Sequence, residues 1–331
     1  MKLLRSLLGG SWGPVLMLLA VYGLFAALDD AAFGEGFTRV RNLRVMMAGS
    51  LDIAVAGLGM TLVIIAGGID LSAGTALALS GTVYVASLKA GWPPSLALLA
   101  LLGTGLACGA LNGLLIARMK VVPFIVTLGA MTVFLGVGKI VAEESTVFAP
   151  REAIPAWVKS LTATGNPDVY AGWFPNFPKG VYLAVVLAVG VALLLHRTVF
   201  GRHVVAVGSN EATARLCGVR VERTKFLVYT LAGLFFGLAG LFWFSDIKVG
   251  NPNEGLGLEL DVIAAVVIGG GSLSGGRGSV VGTLAGVLVM AVIRSGCTFQ
   301  GLSMPWQDIL IGAIIVAAVG LDQLRAGRAS R

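Results

Sequence analysis

The sequence predicts an all-α integral membrane protein with about ten transmembrane helices, and three observations carry that prediction. Of 331 residues, 56% are hydrophobic and only 12% are charged, against about 25% charged in a soluble domain. Apolar runs of roughly 20 residues recur, the length a helix needs to cross about 30 Å of hydrocarbon. The charged residues collect in the stretches between those runs. Lipid offers no partner for backbone N–H and C=O groups, so each run satisfies its own as a helix. Spans are predicted over 13–28, 43–67, 74–89, 95–117, 123–142, 180–196, 224–244, 259–271, 278–295 and 305–322, in one transmembrane unit covering 1–331.

The first run follows Lys2 and Arg5, as in a signal peptide. It continues to Leu28 with no A-x-A cleavage site, which predicts a retained span. Ten spans put both termini on one side, and the positive-inside rule makes that side cytoplasmic. Lys2, Arg5, Arg118, Lys120, Arg277, Arg325, Arg328 and Arg331 then fall inside, and Asp29, Asp30, Glu35, Glu143, Glu144, Glu152, Asp168, Asp246 and Glu254 fall outside. Arg39, Arg41 and Arg44 break the pattern. Either they snorkel at the start of the second span or that region folds differently.

The second span ends in GGIDLSAG, residues 67–74, and the sequence GGGSLSGG at 269–276 echoes it. Gly67 and Gly68 break the helix, and Asp70 and Ser72 follow the break; Gly269, Gly270, Ser272 and Ser274 are their counterparts. Acidic residues precede both breaks: Asp52 in one half, Glu259 and Asp261 in the other. Glycine-interrupted segments in two halves point to a transport pathway. The span count gives a parallel repeat; a re-entrant segment would make it inverted. An ionisable group at membrane depth is costly, so Asp70 has three readings. It caps the next span through N–H groups near Ala73, it contacts solute, or it pairs with a cation. Asp52 and Asn112, inside the second and fourth spans, either bond neighbouring helices or line the pathway. Lys139 either snorkels or pairs with Glu143 four residues on.

The chain has 47 glycines. Gly57 and Gly59, then Gly103, Gly105 and Gly109, then Gly233, Gly237 and Gly240 are spaced for close helix packing. GGGSLSGGRGS lacks the Gly-Lys-Ser/Thr ending of a nucleotide loop, so ATP binding by this chain is not expected. Cys108, Cys217 and Cys297 have no CxxC spacing and read as free thiols. His196 and His203 are the only histidines. No metal site, cofactor or catalytic cluster is expected. The net charge of +7 belongs to topology-setting loops rather than to nucleic-acid binding.

Residues 143–179 contain Pro150, Pro155, Trp157, Pro167, Trp173, Pro175 and Pro178. Prolines disfavour a continuous helix and tryptophans favour the interface, which predicts an ordered periplasmic cap. Residues 197–225 are polar and cationic, with Arg197, Arg202, Arg215, Arg220, Arg223 and Lys225 against Glu211 and Glu222. That loop is expected on the cytoplasmic side. Within it, 209–216 has the composition of a short helix capped by Ser209 or Asn210, with Glu211 at its positive end and Gly218 as its stop. It is either a solvated linker or a docking helix.

The segment GSNEATARLCGV resembles the coupling loop of permeases in binding-protein-dependent ATP-binding-cassette importers, in their ribose and galactose branch. GGIDLSAG, residues 259–286 and residues 112–129 resemble the same branch, so the similarity covers nearly the whole chain. Ala142-Glu143-Glu144-Ser145 and Phe299-Gln300-Gly301 resemble a permease of the galactofuranose importer. The resemblance implies a sugar permease of the bacterial inner membrane, embedded in lipid beside a second permease as heterodimer or homodimer. It implies a periplasmic sugar-binding protein and cytoplasmic ATP-binding subunits that dock on Gly208, Asn210, Glu211, Ala212, Arg215 and Gly218. A secondary transporter using Asp52 or Asp70 for a cation, and a permease for another solute such as branched-chain amino acids, are the alternatives. A membrane-embedded enzyme lacks any His, Cys or carboxylate cluster to carry its chemistry.

Overall fold

The apolar runs fold into helices because their backbones have no other partner. The computed structural model describes residues 13–29, 36–119, 121–164 and 177–329. Lys2, Arg5, Asp30, Glu35, Lys120, Asp168 and Arg331, and residues 165–176 of the cap with Pro167, Trp173 and Pro175, lie outside that set.

The helices are α1 (Gly13–Ala27), α2 (Val40–Ala48), α3 (Leu51–Ile65), α4 (Ala73–Lys89), α5 (Pro94–Met119), α6 (Pro123–Val141), α7 (Ala156–Lys159), α8 (Lys179–Arg197), α9 (Val199–Ser209), α10 (Glu211–Leu216), α11 (Val221–Ile247), α12 (Leu258–Ile268), α13 (Val280–Phe299) and α14 (Met304–Ala329). A 3₁₀ turn, Pro252–Gly255, precedes α12. Among the described residues, extended pairing is confined to one bridge between Val147 and Gly250.

Each of the ten predicted runs contains a helix. Among the described residues, α5, α6, α8, α11 and α13 are long and apolar enough to span, and α2 with α3, bent by 50°, makes a sixth. The 11 residues of α12 rise only about 16 Å. The region of the three exceptional arginines does fold differently: Arg39 occupies the N-cap position of α2 without a side-chain cap bond, and Arg41 and Arg44 lie on α2, a short helix separate from α3.

Helix α11 forms the centre, packed on α3, α4 and α5. Glycines set the closest approach: a β-carbon on Gly105 would lie 2.7 Å from the Gly237 Cα, and one on Gly59 would lie 2.9 Å from the Ala232 carbonyl oxygen. Gly103, grouped with these by spacing, faces open space. Cys108 and Cys297 are buried free thiols and Cys217 is exposed.

At the C-terminal end of α11 the described part of the cap is pinned down. The Ser245 hydroxyl donates to the Val158 carbonyl at 2.7 Å, and Thr162 donates to the Ser245 carbonyl at 3.0 Å. Ile154, Val158 and Leu161 are buried beneath it. Helix α6 ends at Val141, and Glu143 and Glu144 take left-handed φ of 51° and 56°. That turn removes the helical i,i+4 geometry expected for Lys139 and Glu143. At the other end of α11 the 197–225 stretch is mostly helix rather than loop. Thr198 caps α9, accepting from the Gly201 N–H at 3.1 Å, and α11 already begins at Val221.

Candidate functional site

The first break is built around Asp70, which is fully buried. Gly67 takes φ 80°, a conformation that costs glycine little, and turns the chain out of α3. Asp70 Oδ1 accepts from the Ser72 N–H at 2.9 Å and the Ser72 hydroxyl at 2.6 Å. Asn112 Nδ2 donates to Ser72 Oγ at 2.8 Å and to Asp70 Oδ2 at 3.4 Å. Thr127 Oγ1 accepts from the Leu71 N–H at 3.1 Å. Helices α5 and α6 thus fasten the loop between α3 and α4. Asp70 caps one residue earlier than Ala73, because Ser72 itself is the N-cap residue of α4. Asn112 is a helix-to-loop tie. Asp52 is buried in the first turn of α3, at the opposite end of that helix from the break.

The second break follows α12. Gly270, Gly275 and Gly276 have φ of 88°, 85° and 73°, three left-handed residues that only glycine adopts without strain. Gly269 packs against Gly282 of α13. The Ser272 N–H donates to the Arg277 carbonyl at 3.1 Å, and Ser272 is buried while Ser274 is exposed. Ser279 caps α13, accepting from the Gly282 N–H at 3.3 Å.

The two breaks meet, at the same end of the bundle. The Gly276 N–H donates to the Ile65 carbonyl, the last residue of α3, at 2.9 Å. A β-carbon on Gly275 would lie 2.5 Å from the Gly208 carbonyl oxygen and 2.8 Å from the Gly67 Cα. One on Gly208 would overlap the Ile65 carbonyl and lie 2.8 Å from the Gly276 nitrogen. Gly208 belongs to the last turn of α9. The resemblance implies a docking role for it; in the structure it is the point at which α9 touches both breaks through backbone. Both helix pairs, α3–α4 and α12–α13, turn toward this shared end, so the two breaks run in the same sense.

Two residues beyond Gly208 the chain enters α10. Asn210 is its cap, accepting from the Thr213 N–H at 2.9 Å; Ser209 bonds the Val205 carbonyl instead. Gly218, φ 81°, stops the helix, with its N–H on the Arg215 carbonyl. Glu211 is not a free docking charge. It accepts from Lys225 Nζ at 2.5 Å and pairs with Arg215 at 3.3 Å, while Arg215 reaches Glu222 at 2.6 Å. The Lys225 hydrogen bond, foremost, and Arg215 hold the Glu211 carboxyl below its ordinary value. The pairs are partly exposed and individually weak, but together they brace α10 on α11. A cavity of about 230 Å³ lies beside this network, lined by Ile116, Val122, Pro123 and Val221 among others. Leu216 at the tip of α10 is 89% exposed, and Ala212 is exposed on its first turn.

Sequence reading missed four participants. Thr127, and Tyr229 whose hydroxyl lies against Gly68, give no signal inside apolar spans. Arg294 does, as a lone cation within a span. It donates to both oxygens of Asp261, at 3.1 and 2.8 Å, joining α13 to α12. Ile65 acts through its carbonyl, which no side-chain pattern marks.

The sequence has relatives among known proteins. The family described as branched-chain amino acid transport system / permease component matches residues 43–319. The chain belongs to this permease family. It is 39% identical over 317 residues to the ribose import permease of Bacillus subtilis, covering 95% of this chain and 93% of the relative. It is 36% identical over 318 residues to the fructose import permease of Rhizobium meliloti, covering 94% and 84%. Against the xylose transport system permease of Escherichia coli K12, identity is 32% over 356 residues, covering 92% and 89%. No solved structure matches the chain.

Proposed function

We propose that this chain is the membrane-spanning permease of an ATP-driven sugar importer, with ATP hydrolysed on a separate subunit and sugar delivered by a periplasmic binding protein. The observation that carries the proposal is the backbone junction of Ile65, Gly208 and Gly275–Gly276. It joins the protruding α10 to both helix breaks, as a transmission element requires. The ATP-binding subunit would dock on α10, with Leu216 and the adjoining cavity as its contacts and Asn210, Glu211, Arg215 and Gly218 holding the helix in shape.

The family spans more than one solute class, so the sugar assignment rests on the ribose, fructose and xylose relatives. The short motifs at 142–145 and 299–301 add galactofuranose to the sugars worth testing. Asp70 argues against the ion-coupled alternative: its oxygens already take three donors from Ser72 and Asn112. We take the partner permease to be a related chain, with a second copy as the alternative, and the α10 end of the bundle to be cytoplasmic.

The test is uptake of radiolabelled ribose, xylose, fructose and galactofuranose into proteoliposomes holding the assembled transporter. Uptake of one sugar that requires ATP and the binding protein, and is indifferent to ionophores, is expected. Uptake by this chain alone, collapsed by an ionophore, would overturn the proposal.

A further inference from the structure

Between α11 and α12 the chain travels along the bundle with no α-helix, its one regular element the single 3₁₀ turn Pro252–Gly255. Gly250 packs on Thr82 and Val85 of α4, Pro252 lies beside Gly138 and Leu79, and Gly255 and Glu259 press on Gly74. From Val85 to Gly74 this is a descent of about 16 Å along α4, ending about 22 Å inward of Lys89. That is well within a hydrocarbon layer of about 30 Å. Non-helical backbone at such depth is tolerated only when buried in protein or facing a water-filled space. This stretch is not wholly buried: Asn253, Glu254, Leu256 and Gly257 are exposed. Asn251 holds the polar pair in place. Its Oδ1 accepts from the Asn253 N–H at 3.0 Å and Asn253 Nδ2 at 3.3 Å, and its Nδ2 donates to Glu254 at 3.5 Å. A carboxylate and an amide exposed to lipid at this depth would cost several kcal/mol. Deeper along the same surface lies exposed Leu260, next to the Asp261–Arg294 pair.

Resting on the importer reading above, we propose that residues 251–257 line the water-filled solute pathway, where Asn253 and Glu254 hydrogen-bond the hydroxyls of a passing neutral sugar. The chemistry fits an uncharged polyol: an amide donates and accepts, a carboxylate accepts, and Leu256 and Leu260 offer apolar surface to the C–H face of a ring. No full charge opposes Glu254 along this stretch, which disfavours an anionic solute.

The test uses the assembled transporter in membrane vesicles, with Cys217→Ser removing the exposed thiol and buried Cys108 and Cys297 left in place. Asn253→Cys and Glu254→Cys are each treated with a charged, membrane-impermeant thiol reagent and with a lipid-soluble maleimide. Val186→Cys, 65% exposed in mid-α8, serves as the lipid-facing control. We expect the charged reagent to label 253 and 254 but not 186, and whichever of the four sugars the wild type transports to slow that labelling at least threefold. Labelling of 253 and 254 by the lipid-soluble reagent alone, or charged-reagent labelling that the transported sugar leaves unchanged, overturns the proposal. In uptake, Glu254→Leu is expected to lose roughly tenfold and Glu254→Gln to retain most activity, as for one lost hydrogen bond of about 1.4 kcal/mol; equal loss in both variants also counts against it. Parallel uptake by the wild type separates the two readings. ATP-dependent transport without sugar protection sinks only the pathway assignment, whereas absence of ATP-dependent sugar uptake sinks the importer reading itself.

Discussion

Gly68 and Tyr229 give the sharpest test of the first break. Gly68 is buried, and a β-carbon built on it would overlap the Tyr229 hydroxyl, while the next atoms, Tyr229 Cζ and Val63 Cγ1, would lie 3.3 Å away. The Tyr229 hydroxyl is buried and has no hydrogen-bond partner among the described residues. Gly68→Ala therefore forces one oxygen aside within a packed interior, an overpacking cost of about 1–3 kcal/mol. Tyr229→Phe removes that oxygen and sacrifices no bond, so alone it is neutral or slightly stabilising. Combined, the two leave only contacts at 3.3 Å, which a shift of a few tenths of an ångström absorbs. The double variant should recover most of the loss, with a coupling energy of about 1–2 kcal/mol. Thermal inactivation in detergent, followed by retention of the monodisperse transporter, measures stability, and ATP-dependent uptake measures function. If Gly68→Ala is equally damaging with Tyr and with Phe at 229, the hydroxyl is not what Gly68 accommodates, and the packing of the break has been misread.

Gly208→Ala should cost about 2–4 kcal/mol, because its methyl overlaps the Ile65 carbonyl and displaces the Gly276 N–H from it; the expected phenotype, read by ATPase and uptake assays side by side, is ATP hydrolysis retained and transport lost. Asp70→Asn should cost about 1 kcal/mol, since the amide oxygen still accepts from Ser72 but its NH₂ group meets that of Asn112, whereas Asp70→Leu strands both Ser72 donors at about 3 kcal/mol or more. Uptake normalised to membrane expression ranks the two, and equal loss would return Asp70 to an ionic role. The Glu211 carboxyl is held below its ordinary value of 4.5, so its stabilising share is complete above about pH 4.5 and is lost as pH falls through the lower folded value. A spin label on Leu216→Cys should therefore keep its mobility from pH 7 to 5 and gain it only in stronger acid. Glu211→Arg, which places a third cation beside Arg215 and Lys225, should show that mobility already at pH 7.

Apolar run length and glycine punctuation made the helices legible in the sequence, because both are one-dimensional signals of backbone satisfaction. The α10 cap, its Gly218 stop and the paired breaks were legible for the same reason. Span completeness was not: whether α12 crosses or begins midway depends on where 250–257 lies against α4, a tertiary fact. The resemblance groups Gly208 with Glu211 by their closeness in sequence, which carries no information on what Gly208 touches in space. Its real neighbours, Ile65 and Gly276, are contacts of backbone with backbone and leave no side-chain signature. Arg294 is legible as well, since a cation within a span calls for a partner, and Asp261, already marked before the second break, supplies it.

The junction explains why glycine, rather than any small residue, is needed at three separate places in the chain. Gly67 is required by its φ of 80°, whereas at Gly208 and Gly275 a β-carbon would press into another segment's backbone, which cannot change rotamer to yield. A contact of that kind transmits displacement instead of absorbing it. Helix α10 is braced to α11 by Glu211–Lys225 and Arg215–Glu222, and only Asn210 separates it from α9. On the proposed coupling role, a push on α10 would arrive at Gly208 with little slack, and Gly208 touches the ends of both broken pairs at once. Both halves of the bundle would then respond to one input. This is why Gly208→Ala is expected to separate hydrolysis from transport rather than lower both: the proposed docking face of α10 would stay intact while its connection to the two breaks is wedged apart.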